Sequence, residues 1–287
     1  MTTRPVSAVA DRRLTSRPTG GEHQLIPVTV TANERIADHV QRLSLTAPEL
    51  RDFRLSGPDE YFGLLMPPAG QHFQPFDTST GGNIRSIMSA MDESVRPELR
   101  WYSIRNLDQH TGMVDVDVVT HGDSGPGSQW VLRAQPGDTA GVYTASGIWS
   151  RPVGGGLYVA DATSAPALRS ILEFVADHHP DELADTHVLV VAPSDGHLEP
   201  GLAQEWSHRV ATLRIVHTTM DDRAATVRHY LESWRAENHP AARVGYVWAC
   251  GEQDVAKTAR TLGVKEWGLD PDRVGWATYW ILGRARP

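Results

Sequence analysis

The chain has 287 residues, room for two ordinary cores, and its 40% hydrophobic content with 25 Gly and 19 Pro is that of a globular protein, not a disordered or fibrous one. A formal net charge of -8 argues against a nucleic-acid binder and against an anionic membrane surface, both of which call for a basic excess. No run approaches the ~20 apolar residues that cross a bilayer; a single cysteine, Cys250, excludes an intramolecular disulfide framework, and the Thr-, Arg- and Pro-rich start has no apolar core, so we expect a cytoplasmic protein.

Met1 to about Glu22 mixes Thr, Ser, Arg, Pro and Gly without apolar periodicity and is expected to form a mobile tail. From His23 the pattern changes. Leu25 to Thr31 and Val40 to Leu45 alternate apolar and polar residues, which predicts half-buried antiparallel strands. Glu60 to Met66 continues the β pattern and stops at Pro67-Pro68. Ala69 to about Glu98 reads as an irregular insert, and an insert of that length inside a domain is functional or mobile. Met113 to Thr120 is the clearest strand and runs into His121-Gly122; Pro136-Gly137-Asp138 marks a turn before a closing strand, Ala140 to Tyr143. Short strands punctuated by turns predict a barrel or sandwich over residues 23–147.

After Gly154-Gly155-Gly156 the period switches. Leu157 to Ala160, Val188 to Val191, Leu213 to Val216 and Tyr246 to Ala249 read as short buried strands, with helices expected over Ala165 to Asp177, Thr226 to Glu237 and Glu252 to Leu262. Such alternation builds a doubly wound parallel sheet, whose ligands sit at the carboxyl ends of the strands. The expected division is a tail over 1–22, an antiparallel β-barrel over 23–150 and an α/β domain over 151–287. His178-His179 reads as a solvated helix end.

Three segments carry candidate chemistry. In Arg100-Trp101-Tyr102-Ser103-Ile104-Arg105, an aromatic can pack on a planar ring, Ser103 offers a hydrogen bond, and Arg100 and Arg105 can face a pyrophosphate; an ordinary strand with surface arginines is the competing reading. In His121 to Trp130, glycines and a proline around serines expose backbone N–H groups, and a helix starting near Ser128 adds its positive end, unless this is only a glycine-rich turn. Ala160 to Ala167 lies between a strand and a helix, where Thr163 or Ser164 can cap; it lacks the G-x-G-x-x-G fingerprint and also reads as a plain capped turn.

Their joint order resembles that of the siderophore-interacting proteins, a flavoprotein branch of the ferredoxin–NADP reductase superfamily. The R-x-Y-[ST] motif of that family is met by Arg100, Tyr102 and Ser103, with Arg105 two residues on. Its acidic strand and H-G-x-x-G-P-[AG]-S-x-W loop are met by Asp117, His121, Gly122, Gly125, Pro126, Gly127, Ser128 and Trp130, and its P-G-D turn by Pro136 to Asp138. Asp161, Thr163, Pro166 and Ala167 fit its G-D-E-T-A-L-P-A turn; Trp248, Gly251 and Glu252 fit W-x-A-G-E with Cys250 for the alanine; and Tyr279, Trp280, Gly283 and Arg284 fit Y-W-x-x-G-R.

The resemblance implies a ferredoxin reductase-like protein that binds FAD and NADH or NADPH and reduces a ferric siderophore to release iron(II). It assigns the Arg-Tyr-Ser motif to the flavin, the His121 to Trp130 loop to the FAD pyrophosphate, and the Asp161 to Pro166 turn to the nicotinamide dinucleotide, with Trp248 to Glu252 on the nicotinamide side and Tyr279 and Trp280 covering the flavin or simply buried in the last strand. No protein metal ligand is implied. This chain departs from the family pattern at Ala145-Ser146-Gly147, at Ala162 in the nucleotide turn, at Ile281-Leu282 after the terminal Tyr-Trp, and in its insert. Cations for an anionic chelate would then come from Arg85, Arg96, Arg133, Lys257, Lys265 or Arg284. Past the second strand of the α/β domain, Asp195 is an acid where a 2′-phosphate would want a base, which favours NADH, although Arg223 or Arg209 could still reach across. Two rival readings are a flavin reductase or flavin-dependent biosynthetic enzyme acting on an organic substrate, and a flavin- or siderophore-binding module without turnover. The sequence is silent on oligomeric state.

Overall fold

The computed structural model describes residues 23–78, 83–120, 125–152 and 154–283, so the expected tail at 1–22 lies outside the described residues. Twelve strands and six α-helices follow in chain order among them: β1 Leu25–Ala37, β2 Val40–Thr46, β3 Tyr61–Met66, α1 Ile84–Ser89, β4 Glu98–Ser103, β5 Asn106–Asp108, β6 Met113–Val119, α2 Pro126–Arg133, β7 Thr139–Thr144, β8 Gly156–Asp161, α3 Ala165–His178, β9 Thr186–Ala192, α4 Leu202–Trp206, β10 Thr212–His217, α5 Arg223–Ala236, β11 Tyr246–Glu252, α6 Gln253–Thr261 and β12 Val274–Trp280.

The first seven strands form one antiparallel sheet in the order β4-β3-β7-β1-β2-β6-β5. Its two edges meet, because Ile104 and Arg105 carry the chain directly from β4 at one edge to β5 at the other, and the Arg105 amide donates to Asp115 O on β6 at 2.8 Å. That corner curls the sheet towards a barrel. Inside it, Val28 and Val30 of β1, Leu43 and Leu45 of β2, and Val114, Val116 and Val118 of β6 pack with Trp130 of α2. The alternation seen in the sequence is the inward-facing half of each strand.

The expected irregular insert contains a helix. Asn83 caps α1 by accepting from the Arg85 amide at 2.9 Å, and Ile84 and Met88 pack on Leu65, Phe73, Leu99 and Tyr143. Six helical residues are too few for a periodic signal, so only the capping asparagine could have announced it.

The remaining strands form a parallel sheet in the order β10-β9-β8-β11-β12. Every residue of β8, β9 and β11 is buried, as expected of parallel strands covered on both faces. On one face Tyr158, Ala160, Val188, Val190, Tyr246 and Trp248 meet Leu168, Ile171 and Leu172 of α3; on the other Leu157, Val159, Leu189, Val247 and Ala249 meet Val227 and Leu231 of α5 and Val255 and Ala259 of α6. This is the doubly wound arrangement expected from the strand–helix alternation.

Buried and surface contacts alike join the sheets. Asp59, fully buried before β3, accepts from the Trp149 amide at 2.9 Å and the Ile148 amide at 3.1 Å, in the segment leading to β8, and from Trp248 Nε1 on β11 at 2.9 Å. Burial pushes its carboxyl above the ordinary range, although these donors pull it back. On the opposite side the β1–β2 turn docks through the His39 amide, which donates to Gly196 O at 2.8 Å, while the His39 and His197 rings stack at 4.0 Å.

Candidate functional site

Between the sheets lies a cleft with about 990 Å³ of space, open solvent included. Strand β4 supplies one wall through Arg100, Trp101, Tyr102 and Ser103; β6 adds Asp117 and Val119; the start of α2 adds Gly127 and Ser128; the turn after β8 adds Thr163 and Pro166; and the end of β12 adds Tyr279 and Trp280. Consecutive β4 residues line the cleft, and Leu99 and Trp101 also reach the α1 cluster. Arg85, one residue into α1, stands at the rim. Of the six cations weighed from sequence, it alone lines the cleft among the described residues; Arg284 lies outside them.

The Arg-Tyr-Ser motif and the α2 loop meet at close range. A methyl group on Gly127 would fall 2.9 Å from Arg100 Cγ and 3.1 Å from Tyr102 Oη. Helix α2 starts at Pro126, two residues earlier than expected, because proline suits a first-turn position that has no intrahelical N–H bond to make. Its first-turn amides therefore open beside Tyr102. Burial pushes the Tyr102 phenol up to about 12, so it remains an O–H donor at neutral pH. Ser103 Oγ–H donates to Tyr279 Oη at 3.3 Å, joining the strand to the end of β12. His121 and Gly122 lie outside the described residues.

Other residues singled out in the sequence are turned elsewhere. Arg105 leaves the cleft: its Nε donates to Glu199 Oε2 and its Nη1 to Glu173 Oε2, both at 2.7 Å. Asp117 lines the cleft, but its two oxygens accept from Arg42 Nε and Nη2 at 2.7 Å each. Trp130 sits in the barrel core at 5% exposure and supports α2 from beneath. Trp248 and Cys250 are fully buried, so they brace the second sheet and do not line the nicotinamide side. Glu252 caps α6 by accepting from the Asp254 amide at 2.6 Å.

Asp161 is an organiser of the nucleotide turn. Its Oδ1 accepts from Thr163 N at 2.9 Å, Thr163 Oγ1 at 2.7 Å and Ser164 N at 3.1 Å, and its Oδ2 from Glu252 N at 2.7 Å and Trp280 Nε1 at 2.9 Å. Gly251, at φ 129°, leaves the space this carboxylate fills, since a Cβ there would lie 2.5 Å from it.

Behind the Trp280 indole a second crevice opens at the carboxyl ends of β8 and β9, lined by Ala162, Thr163, Pro193, Thr218, Thr219 and Arg223. The Arg223 guanidinium stacks over Trp280 at 4.6 Å, and its buried Nη1 has no hydrogen-bond partner among the described residues. Burial lowers the Arg223 pKa, and Asp161, Glu252 and Asp221 only partly offset this. A buried donor and cation left in this condition suits an anionic ligand. Sequence reading weighed Arg223 only as a distant alternative; its sole local signal was its place at the start of the helix after β10. Arg209 instead covers Trp206 at 4.3 Å, outside the crevice lining.

The donors and planar side chains of the cleft fit a flavin dinucleotide: aromatic faces at Trp101, Tyr102, Tyr279 and Trp280, a guanidinium at Arg100, and helix amides at the mouth of α2. The crevice at the strand ends, with about 250 Å³ of space, offers the Arg223 cation to an anionic group of a second ligand.

Comparison with known proteins agrees with this geometry. A family profile described as the siderophore-interacting FAD-binding domain matches residues 29–148, and one described as siderophore-interacting protein matches residues 155–283. The NADPH-dependent ferric-chelate reductase of Escherichia coli is 27% identical over 259 residues, covering 88% of this chain and 91% of that one. The mycobactin import ATP-binding/permease protein IrtA of Mycolicibacterium thermoresistibile is 29% identical over 92% of this chain, which spans 25% of that protein's length. The crystal structure of the siderophore-interacting protein SipS from Aeromonas hydrophila superposes with a TM-score of 0.69 at 23% identity, covering 91% of this chain and 93% of that one, a likeness of fold.

Proposed function

This chain belongs to the siderophore-interacting protein family, and on that premise we propose that it uses a nicotinamide dinucleotide and FAD to reduce a ferric siderophore and release iron(II). The observation that carries the reading is the single cleft in which Tyr102 and Ser103 of the barrel face Thr163 and Trp280 of the parallel sheet. The cleft wall would hold the flavin, and the adjoining crevice, which shares Trp280 with it, would take the phosphate end of a nicotinamide dinucleotide. Residues 23–150 and 151–287 divide these two tasks in our reading, with the reaction in the cytoplasm.

When bound, FAD accepts a hydride and hands electrons on singly, which is the chemistry the protein itself lacks. The residues supply binding and orientation. The first-turn amides of α2 and Arg100 would hold the pyrophosphate, and Tyr102 would donate its phenolic proton to the cofactor. Ser103, Tyr279 and Trp280 would bound the ring face. Arg223 would pair with a phosphate of the nicotinamide nucleotide through the unpartnered Nη1. Arg85, which lines the cleft, would meet an anionic chelate. Iron(III) prefers hard siderophore oxygens more strongly than iron(II) does, so one-electron reduction loosens the metal.

NADH is the donor we favour. Asp195, just past β9, is held by His217 Nε2 at 3.0 Å and would accept from a ribose hydroxyl, whereas a 2′-phosphate would meet its charge. The E. coli relative is named for NADPH, and a preference for NADPH here would reassign Arg223 to that phosphate.

The test is an anaerobic absorbance spectrum of FAD-loaded protein before and after NADH, then after a ferric siderophore with an iron(II) trap. Bleaching followed by recolouring and trapped iron(II) is the expected result. Bleaching without reoxidation by any ferric chelate would remove the siderophore and favour a neutral organic acceptor, a reading supported by Ile281 and by Leu282, which is 42% exposed just past Trp280. Flavin that neither NADH nor NADPH bleaches would leave a binding module.

A further inference from the structure

Arg105 belongs to a string of ion pairs that crosses between the sheets. Its guanidinium makes four hydrogen bonds, to Glu173 on α3 and to Glu199 in the segment before α4. Glu199 also accepts from Arg42 of β2 at 2.8 Å and lies 3.3 Å from Arg169 of α3, while Arg169 reaches Glu205 of α4 at 2.7 Å. The backbone lies close as well, since Ser170 Oγ sits 3.3 Å from Arg105 O and 3.0 Å from Pro166 O, the two acceptors open to its one proton. Arg105 is 8% exposed, so these bonds are shielded from screening by water. Burial would push the Glu199 carboxyl up, but Arg105, Arg169 and Arg42 outweigh it and hold it below the ordinary carboxylate range.

The two ends of this string are the two walls of the cleft. Arg105 stands two residues beyond Ser103, on the same chain corner that ends β4. Glu173 lies on α3, the helix whose first turn carries Pro166 at the cleft wall and follows directly on the Asp161 to Ser164 turn. A rigid strand end and a rigid helix are thus bolted together within a few residues of where flavin and nicotinamide would meet.

From this we infer that Arg105 is a positioning residue that sets the separation of the flavin and nicotinamide walls, and not a contact to the FAD phosphates. The inference rests on the nicotinamide-to-flavin half of the proposed function and makes no use of the iron substrate. Hydride transfer is steep in distance, and a displacement of about 1 Å can cost up to about a hundredfold in rate.

The experiment is anaerobic stopped-flow bleaching of the full, FAD-loaded chain by NADH and by NADH deuterated at the transferred position, on wild type, Arg105→Gln, Glu173→Gln and Glu199→Gln. We expect FAD dissociation constants within about twofold of wild type, and limiting bleaching rates about tenfold to a hundredfold lower with an enlarged isotope effect. If Arg105→Gln does not fold, the two glutamate variants carry the same expectation, because each leaves Arg105 one carboxylate. Loss of FAD from Arg105→Gln with both glutamate variants bleaching at the wild-type rate would overturn the inference and make Arg105 a cofactor ligand. Wild-type bleaching rates in all folded variants would overturn it too. A wild type that NADH and NADPH both fail to bleach would overturn the reductase reading together with it.

Discussion

Trp280 Nε1–H donates to Asp161 Oδ2 at 2.9 Å, and the indole so held is the partition between the flavin cleft and the nucleotide crevice, since it lines both. The bond crosses from the last strand of the sheet to the turn after its first. Trp280→Phe keeps an aromatic face and loses the donor. A hydrogen bond to a charged acceptor is worth roughly 1.5–3 kcal/mol, so hydride transfer should slow by about tenfold while FAD stays bound. Stopped-flow bleaching beside a flavin titration checks both halves.

Gly127 is the point at which α2 touches the strand motif. Gly127→Ala would press a methyl group onto Arg100 Cγ and Tyr102 Oη, and relief requires the helix mouth to withdraw. Overpacking of this kind costs about 1–3 kcal/mol. The expected result is FAD affinity reduced about tenfold or more, read by flavin fluorescence, with a thermal midpoint lowered by only a few degrees.

Arg223→Ala removes the cation of the crevice while leaving the flavin cleft intact. The KM for the nicotinamide nucleotide should rise about tenfold to a hundredfold, the value of a charge-assisted contact, and FAD affinity should not change. The ratio of kcat/KM for NADH and NADPH in wild type and variant separates a pyrophosphate contact, which lowers both alike, from a 2′-phosphate contact, which lowers NADPH alone.

Glu60 sets a pH dependence of stability. It is 2% exposed, and burial pushes its carboxyl from an ordinary 4.5 up to about 7, against the pull of Ser56. The folded state therefore holds a proton between these values that the unfolded chain releases, so stability falls as pH rises from about 4.5 to 7 and stays reduced above. Glu60→Gln should remove this contribution to the slope and gain up to ~3 kcal/mol over wild type at pH 8, with no such gain at pH 4. Urea titrations at the two pH values decide it.

The strands were legible because each buries one face or both, which leaves period-two alternation in β1, β2 and β6 and continuous apolar runs in β8, β9 and β11. The cleft was legible where its residues lie together in the chain, as Arg100, Tyr102 and Ser103 do. What escaped was set by distant partners. Arg105 looks like its neighbour Arg100 in a local window, but it is turned away by Glu173 and Glu199, 68 and 94 residues further on. Trp248 resembled a site residue because it fits the family's W-x-A-G-E pattern, yet its indole is claimed by Asp59, 189 residues away. No local pattern records such pairings.

The same Asp59 carboxylate governs how the molecule comes apart. It sits before β3 in the barrel, and its donors are the main chain of the connecting segment and an indole of the parallel sheet. Neither half can open without stripping buried N–H groups, or a buried acid, of their partners in the other, at a cost of several kcal/mol. Heat should therefore take the two halves together, in one calorimetric transition whose enthalpy agrees with its van't Hoff value, and a chain cut near residue 150 should not behave as the sum of two independent folding units.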